Sequence, residues 1–122
     1  MTIFIISSHS KKVIYAPCDV KPFPDSEKFQ DADVLIIGNT IVGDVLKDGF
    51  VLKEDNPLRE ELFTLDEVDI IRKQYGIKSV IITHLEEDWG KSYDDYRELE
   101  KELDAIQFAY DGMKIPLQPD VP

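Results

Sequence analysis

The sequence is poor in the residues that build disulfide and metal sites. It contains one cysteine, Cys18, and two histidines, His9 and His84, among 122 residues. A single cysteine excludes an internal disulfide and is compatible with a reducing compartment. We therefore expect a chain that folds without disulfides, in the cytoplasm.

Basic residues are also scarce. The chain has 14 lysines and arginines against 25 aspartates and glutamates, which gives a formal net charge of −11. The bases form no run longer than two, as at Lys11-Lys12. Such a chain repels phosphate backbones and anionic lipids, so we expect neither nucleic-acid binding nor membrane docking. The excess of acid is typical of a solvated surface.

Long apolar runs are absent as well. No stretch reaches the roughly 18 consecutive apolar residues that a membrane-spanning helix requires. The apolar run near the start lacks the basic leader and cleavage site of a secretory signal. With 43% hydrophobic and 32% charged residues, the composition predicts one ordered domain, over residues 1–117, and a frayed tail over 118–122.

Hydrophobic patterning predicts the strands. "TIFIIS" and "VIYAPCDV" flank the polar segment "SHSKK", which is typical of a hairpin. "ADVLIIG" and "SVIITH" are apolar runs rich in β-branched residues, as in strands buried on both faces. Two hairpin turns are predicted, at Asp48-Gly49 and at Asp111-Gly112, the latter between "IQFAY" and "MKIPL".

Two helices are predicted from their capping residues. Thr64 with Glu67 forms a capping box, and Gly76 ends the helix that follows. Ser92 with Asp95 begins a second helix, with an apolar stripe of Tyr93, Tyr96, Leu99 and Leu103. The order of elements predicts an α/β domain, a layered sheet with helices on one face, and favours a parallel crossover between Val34 and Ile82.

Asp19 and His84 are the candidate functional residues, because each follows an apolar strand at the edge where ligand sites gather in α/β folds. The alternative is structural: Asp19 binds loop amides before Lys21-Pro22, and His84 is a structural histidine rather than a ligand. The carboxylates after His84, in "HLEED", are interpreted as solvated loop residues.

The ordered segments "KKVIYAPCD", "DADVLIIG", "GIKSVIITHLEED" and "IQFAYDGMKIPL" resemble the C-terminal half of a metallo-β-lactamase-fold hydrolase of the phosphodiesterase-like branch. The resemblance implies half of an αββα sandwich. It also implies that Asp19 bridges two divalent metal ions, of zinc, manganese or iron, and that His84 binds one of them. In such enzymes the metal lowers the pKa of a bound water.

The family's His-x-His-x-Asp-His cluster does not occur in this chain. We therefore expect the chain to be inactive alone and to belong to a phosphodiester- or ester-cleaving enzyme only in its complete form. Its partner would be the missing N-terminal half or a second copy in a homodimer. The alternative is a non-enzymatic acidic interaction module that retains Asp19 and His84 as relics of a metal site.

Overall fold

The computed structural model describes residues 2–17, 21–38, 40–86 and 89–117. Within these ranges the chain is a mixed α/β structure with one five-stranded sheet and three α-helices. The strands are β1 (Phe4–Ser8), β2 (Lys11–Ala16), β3 (Val34–Gly38), β4 (Ser79–Thr83) and β5 (Ile106–Phe108). The helices are α1 (Leu58–Glu61), α2 (Leu65–Tyr75) and α3 (Tyr93–Glu100), and a 3-10 turn covers Glu27–Phe29.

The sheet has the strand order β1-β2-β3-β4-β5. β1 and β2 form the predicted antiparallel hairpin, and β2 through β5 are parallel. The predicted parallel pairing across α2 is thus confirmed for β3 and β4. Since parallel strands end on the same side, the carboxyl ends of four strands meet along one edge, which we term the carboxyl edge.

Both predicted capping boxes are present. The Thr64 hydroxyl accepts a hydrogen bond from the Glu67 N–H, and the Glu67 carboxylate accepts one from the Thr64 N–H. Ser92 and Asp95 make the same reciprocal pair at the start of α3. Gly76 ends α2 with a φ of 62°, in the left-handed region where a side chain would be strained. Helix boundaries therefore follow directly from local sequence.

The hydrophobic core lies on one face of the sheet. Alternate residues of β2 to β5 join one buried cluster with side chains from α2 and α3. The sheet members are Ile14, Ala16, Leu35, Ile37, Val80, Ile82, Ile106 and Phe108. The Tyr96 ring of α3 lies 4.8 Å from the Phe108 ring, which places α3 against the same face. Alternation along each strand therefore separates a core face from a second face.

The two predicted hairpins beyond β3 have different outcomes. Residues around Asp48 make a small antiparallel bridge between Val45 and Val51, as predicted. At Asp111-Gly112 a turn forms, with the Met113 N–H bonded to the Tyr110 carbonyl at 3.0 Å. Residues 113–117 form no strand, so the prediction of a second hairpin strand there is wrong.

Candidate metal-binding edge of the sheet

Three strands come into close contact at the carboxyl edge. A Cβ added to Gly38, the last residue of β3, would lie 1.9 Å from the Pro17 carbonyl oxygen and 3.3 Å from the His84 Cβ. Only glycine therefore fits between these two neighbours. The sequence shows the glycine at the end of "ADVLIIG", but only the packing reveals why it is there.

His84 is the first residue after β4. Its backbone has a φ of 54°, in the left-handed region, which turns the chain away from the strand direction. The side chain is about half exposed, and its Nε2 lies 3.1 Å from the Glu86 Oε1. Glu86, which the sequence suggested to be a solvated loop carboxylate, is therefore a direct neighbour of His84.

Asp19 and Cys18 lie outside the described residues, as do Glu87 and Asp88. The chain on either side of Asp19 is nevertheless fixed. Pro17 packs against Gly38, and the Lys21 ammonium donates to the Arg59 carbonyl at 2.6 Å and to Glu67 at 2.9 Å. Pro17 thus lies beside Gly38, and Lys21 is held by α1 and α2.

Glu67 has two roles in this anchoring. It completes the capping box with Thr64 and also receives the Lys21 ammonium. Burial raises the pKa of the Glu67 carboxyl, but the hydrogen bonds from Lys21 and Thr64 outweigh burial and hold that pKa below its ordinary value. Glu67 is therefore ionised at neutral pH and fixes the chain that follows Asp19.

A shallow pocket of about 280 Å³ opens beside His84. It is lined by the end of β4 and by the chain after β5, including Tyr110 and Asp111. Asp111 was predicted from the sequence to be a turn residue, and the turn between Tyr110 and Met113 confirms this. Asp111 nevertheless lines the same pocket as His84.

A cluster of aromatic and basic side chains adjoins this pocket. The Arg97 guanidinium lies 4.7 Å from the centre of the Tyr93 ring and 5.0 Å from that of Tyr110, at cation–π distance. Tyr93 was predicted to belong to the apolar stripe of α3, but it is 57% exposed and packs on Arg97 instead. Helical spacing predicted the face of α3 on which Tyr93 lies, but it did not predict the contact with Arg97.

The described residues do not make a complete metal site by themselves. Within residues 2–17, 21–38, 40–86 and 89–117, no three His, Cys, Asp or Glu side chains are placed to hold a metal ion. His84 and Glu86 offer two donors, whereas structural and catalytic zinc sites use three or four protein ligands. His9 cannot add to them, because it lies in the β1–β2 turn, at the opposite end of the strands.

No helix in the described part of the chain is both long enough and apolar enough to cross a membrane. No protein-family model matches the chain, and no curated protein matches its sequence.

Proposed function

We propose that the chain is the C-terminal part of a metal-dependent hydrolase with a metallo-β-lactamase fold, phosphodiester- or ester-cleaving when complete and inactive alone. His84 and Asp19 are its metal ligands. The observation that carries the proposal is the packing at Gly38, which has the Pro17 carbonyl and the His84 side chain as close neighbours. His84 thus lies at the edge where α/β folds bind ligands, beside the end of the described chain that leads to Cys18-Asp19.

The architecture is also consistent with half of a sandwich. The core cluster occupies one face of the sheet, and the other face carries apolar side chains such as Phe4, Ile6 and Tyr15, which are 50%, 56% and 38% exposed. In an αββα sandwich that second face would pack on the sheet of the other half. The exposed β1 side of this face thus fits an arrangement in which another polypeptide segment adds the remaining ligands, whereas Val34 and Ile81 farther along the face are already buried.

Titration calorimetry with Zn²⁺ tests the proposal. We expect weak binding, because two protein ligands leave most coordination positions to water. Binding should disappear in Asp19→Ala and His84→Asn, since asparagine tolerates the left-handed backbone at position 84 but lacks the imidazole. His9→Asn is the matched control, because it removes the other histidine, which is exposed and also has a left-handed backbone, with a φ of 50°.

Tight Zn²⁺ binding that survives His84→Asn would contradict the assignment of ligands. A phosphodiester assay with added zinc or manganese should show no turnover by the chain alone. Metal-dependent turnover that disappears in both Asp19→Ala and His84→Asn would show instead that the chain is an enzyme by itself.

The second candidate function is a non-enzymatic interaction module, which the same exposed β1 side favours. It predicts that the Asp19 and His84 variants bind Zn²⁺ no differently from the unmodified chain. The calorimetric comparison therefore separates the two functions.

A further inference from the structure

A pocket of about 410 Å³ lies between α3 and the chain after β5, and we term it the tyrosine pocket. Its lining combines three tyrosines with two cationic side chains, namely Tyr93, Tyr96, Tyr110, Lys91 and Arg97. The Tyr93 and Tyr110 rings meet edge to face, with their centroids 5.6 Å apart. A concave site of this size, with aromatic walls and a few polar groups, is typical of small-molecule binding.

The buried polar group of the tyrosine pocket is the Tyr96 hydroxyl. Tyr96 is 6% exposed, and within residues 2–17, 21–38, 40–86 and 89–117 its hydroxyl has no hydrogen-bond partner. Burial raises the pKa of this hydroxyl, so it is protonated at neutral pH and able to donate a hydrogen bond. A buried hydroxyl without a partner is costly, and a ligand that brings an oxygen acceptor would remove that cost.

Arg97 supplies further donors. Its Nη2 donates to the Phe108 carbonyl at 2.6 Å, and its Nε lies 3.1 Å from the Glu100 Oε1. Since a guanidinium has five N–H groups, the Nη1 amino group remains for a ligand in the described part of the chain. The guanidinium is held 4.7 Å from the centre of the Tyr93 ring and 5.0 Å from that of Tyr110. The pocket therefore presents positioned donors beside aromatic rings.

Charge decides which acceptor suits these donors. The lining carries the cations Lys91 and Arg97 and the carboxylate Asp111, and Glu100 further offsets the charge of Arg97. This balance accommodates one negative charge better than two, and the net charge of −11 on the chain opposes a dianion further. A phosphate monoester carries about −1.5 to −2 at neutral pH, whereas a carboxylate carries a single charge. A carboxylate is therefore the better match.

We propose that the tyrosine pocket binds a small aromatic carboxylate. The ring of the ligand packs against Tyr93 and Tyr110, which offer edge-to-face and offset contacts. The carboxylate accepts charge-assisted hydrogen bonds from Arg97 and a hydrogen bond from the Tyr96 hydroxyl. The pocket adjoins the one beside His84 and shares Tyr110 with it, but binding here requires no metal ion.

The test is titration of the purified chain with benzoate in a buffer that contains EDTA, followed by calorimetry and by amide NMR shifts. EDTA keeps metal binding out of the measurement, so the result is independent of the proposed metal ligands. We expect saturable binding, with the shifts concentrated in α3 and in the chain after β5. Benzyl alcohol, which has the ring without the charge, should bind about tenfold more weakly. Phenyl phosphate should bind no more tightly than benzoate.

Two tyrosine variants separate a ligand contact from a structural one. Tyr96→Phe should weaken benzoate binding about fivefold without lowering the midpoint of urea unfolding, because the hydroxyl has no partner in the described part of the protein. Tyr75→Phe is the matched control, since Tyr75 is 3% exposed but its hydroxyl donates to Asp25 at 2.8 Å. It should lower the unfolding midpoint and leave benzoate binding unchanged.

A second pair of variants tests the charge. Lys91→Gln should weaken benzoate binding about threefold, whereas Lys101→Gln, which removes an exposed lysine that pairs with Glu98, should have no effect. Absence of saturable benzoate binding would overturn the proposal. So would benzyl alcohol binding as tightly as benzoate, phenyl phosphate binding more tightly, or unchanged benzoate binding by Tyr96→Phe.

Discussion

The two edge strands of the sheet, β5 and β1, are protected to different extents. At the β5 edge, the Glu100 carboxylate accepts the Phe108 N–H at 2.7 Å, and the Arg97 guanidinium donates to the Phe108 carbonyl at 2.6 Å. Two side chains of α3 thus take the place of a further strand. At the other edge, all five residues of β1 are exposed, including Phe4 and Ile6.

The difference shows how chain order determines which edge is protected. α3 immediately precedes β5, so its side chains reach the backbone of that strand. The β1–β2 hairpin comes before any of the α-helices described, and β1 lies on the far side of β2 from the rest of the sheet. Exposed apolar edges are hazards unless a partner covers them. The β1 side is therefore the less protected edge of the sheet.

The largest expected effect comes from a matched pair of phenylalanines at the two edges. Phe108 is fully buried, whereas Phe4 is 50% exposed. Phe108→Ala should reduce the free energy of unfolding by about 3–5 kcal/mol, and Phe4→Ala by about 1 kcal/mol or less. Urea unfolding followed by circular dichroism, at concentrations where the chain is monomeric, measures both. Equal losses would show that the two edges are packed alike.

Much of the fold could be predicted from local sequence. Thr64 with Glu67 and Ser92 with Asp95 located two helix starts, because a capping box is a property of four consecutive residues. The missing strand after Asp111 could not be predicted in the same way. The outward N–H and carbonyl of Phe108 are already bonded to α3, and residues 113–117 lie along the sheet face instead.

The candidate site could be predicted only in part. The position of His84 at the end of β4 followed from the apolar run before it. The close approach of Pro17 to Gly38 did not, because it depends on how β2 and β3 align. The contacts of Arg97 with Tyr93 and Tyr110 join residues from α3 and from the chain after β5, and a one-dimensional pattern does not give such distances.

A smaller effect should follow from removing the side chain that closes the β5 edge. Glu100→Ala removes the acceptor of the Phe108 N–H. It also removes the ion pair between the Glu100 carboxylate and the Arg97 Nε, which are 3.1 Å apart. We expect a loss of about 1–3 kcal/mol in the free energy of unfolding. Glu98→Ala is the control, since the Glu98 carboxylate pairs with Lys101 on the exposed surface and its loss should change stability by about 0.5 kcal/mol or less. Similar losses would mean that α3 does not protect this edge.

The smallest effect concerns acid sensitivity at the other edge, where Asp33 ties the hairpin to β3. The backbone N–H of Lys12 lowers the pKa of Asp33 and, together with Lys78 and Lys11, outweighs the opposing effect of burial. A carboxyl whose folded pKa lies below its unfolded value, about 3.9, contributes stability above that pH, and the contribution is lost as the pH falls through the folded pKa.

The hairpin should therefore loosen relative to the centre of the sheet when the pH falls from about 5 to about 2. Hydrogen exchange of the β1 and β2 amides should accelerate in that range relative to β4. Asp33→Asn should be less stable at neutral pH and should show a flatter decline on acidification, because the shifted carboxyl is gone. Asp55→Asn, which changes an exposed loop carboxyl, should follow the unmodified chain. If the decline of Asp33→Asn matched that of the unmodified chain, Asp33 would not be the group that holds the open edge in place.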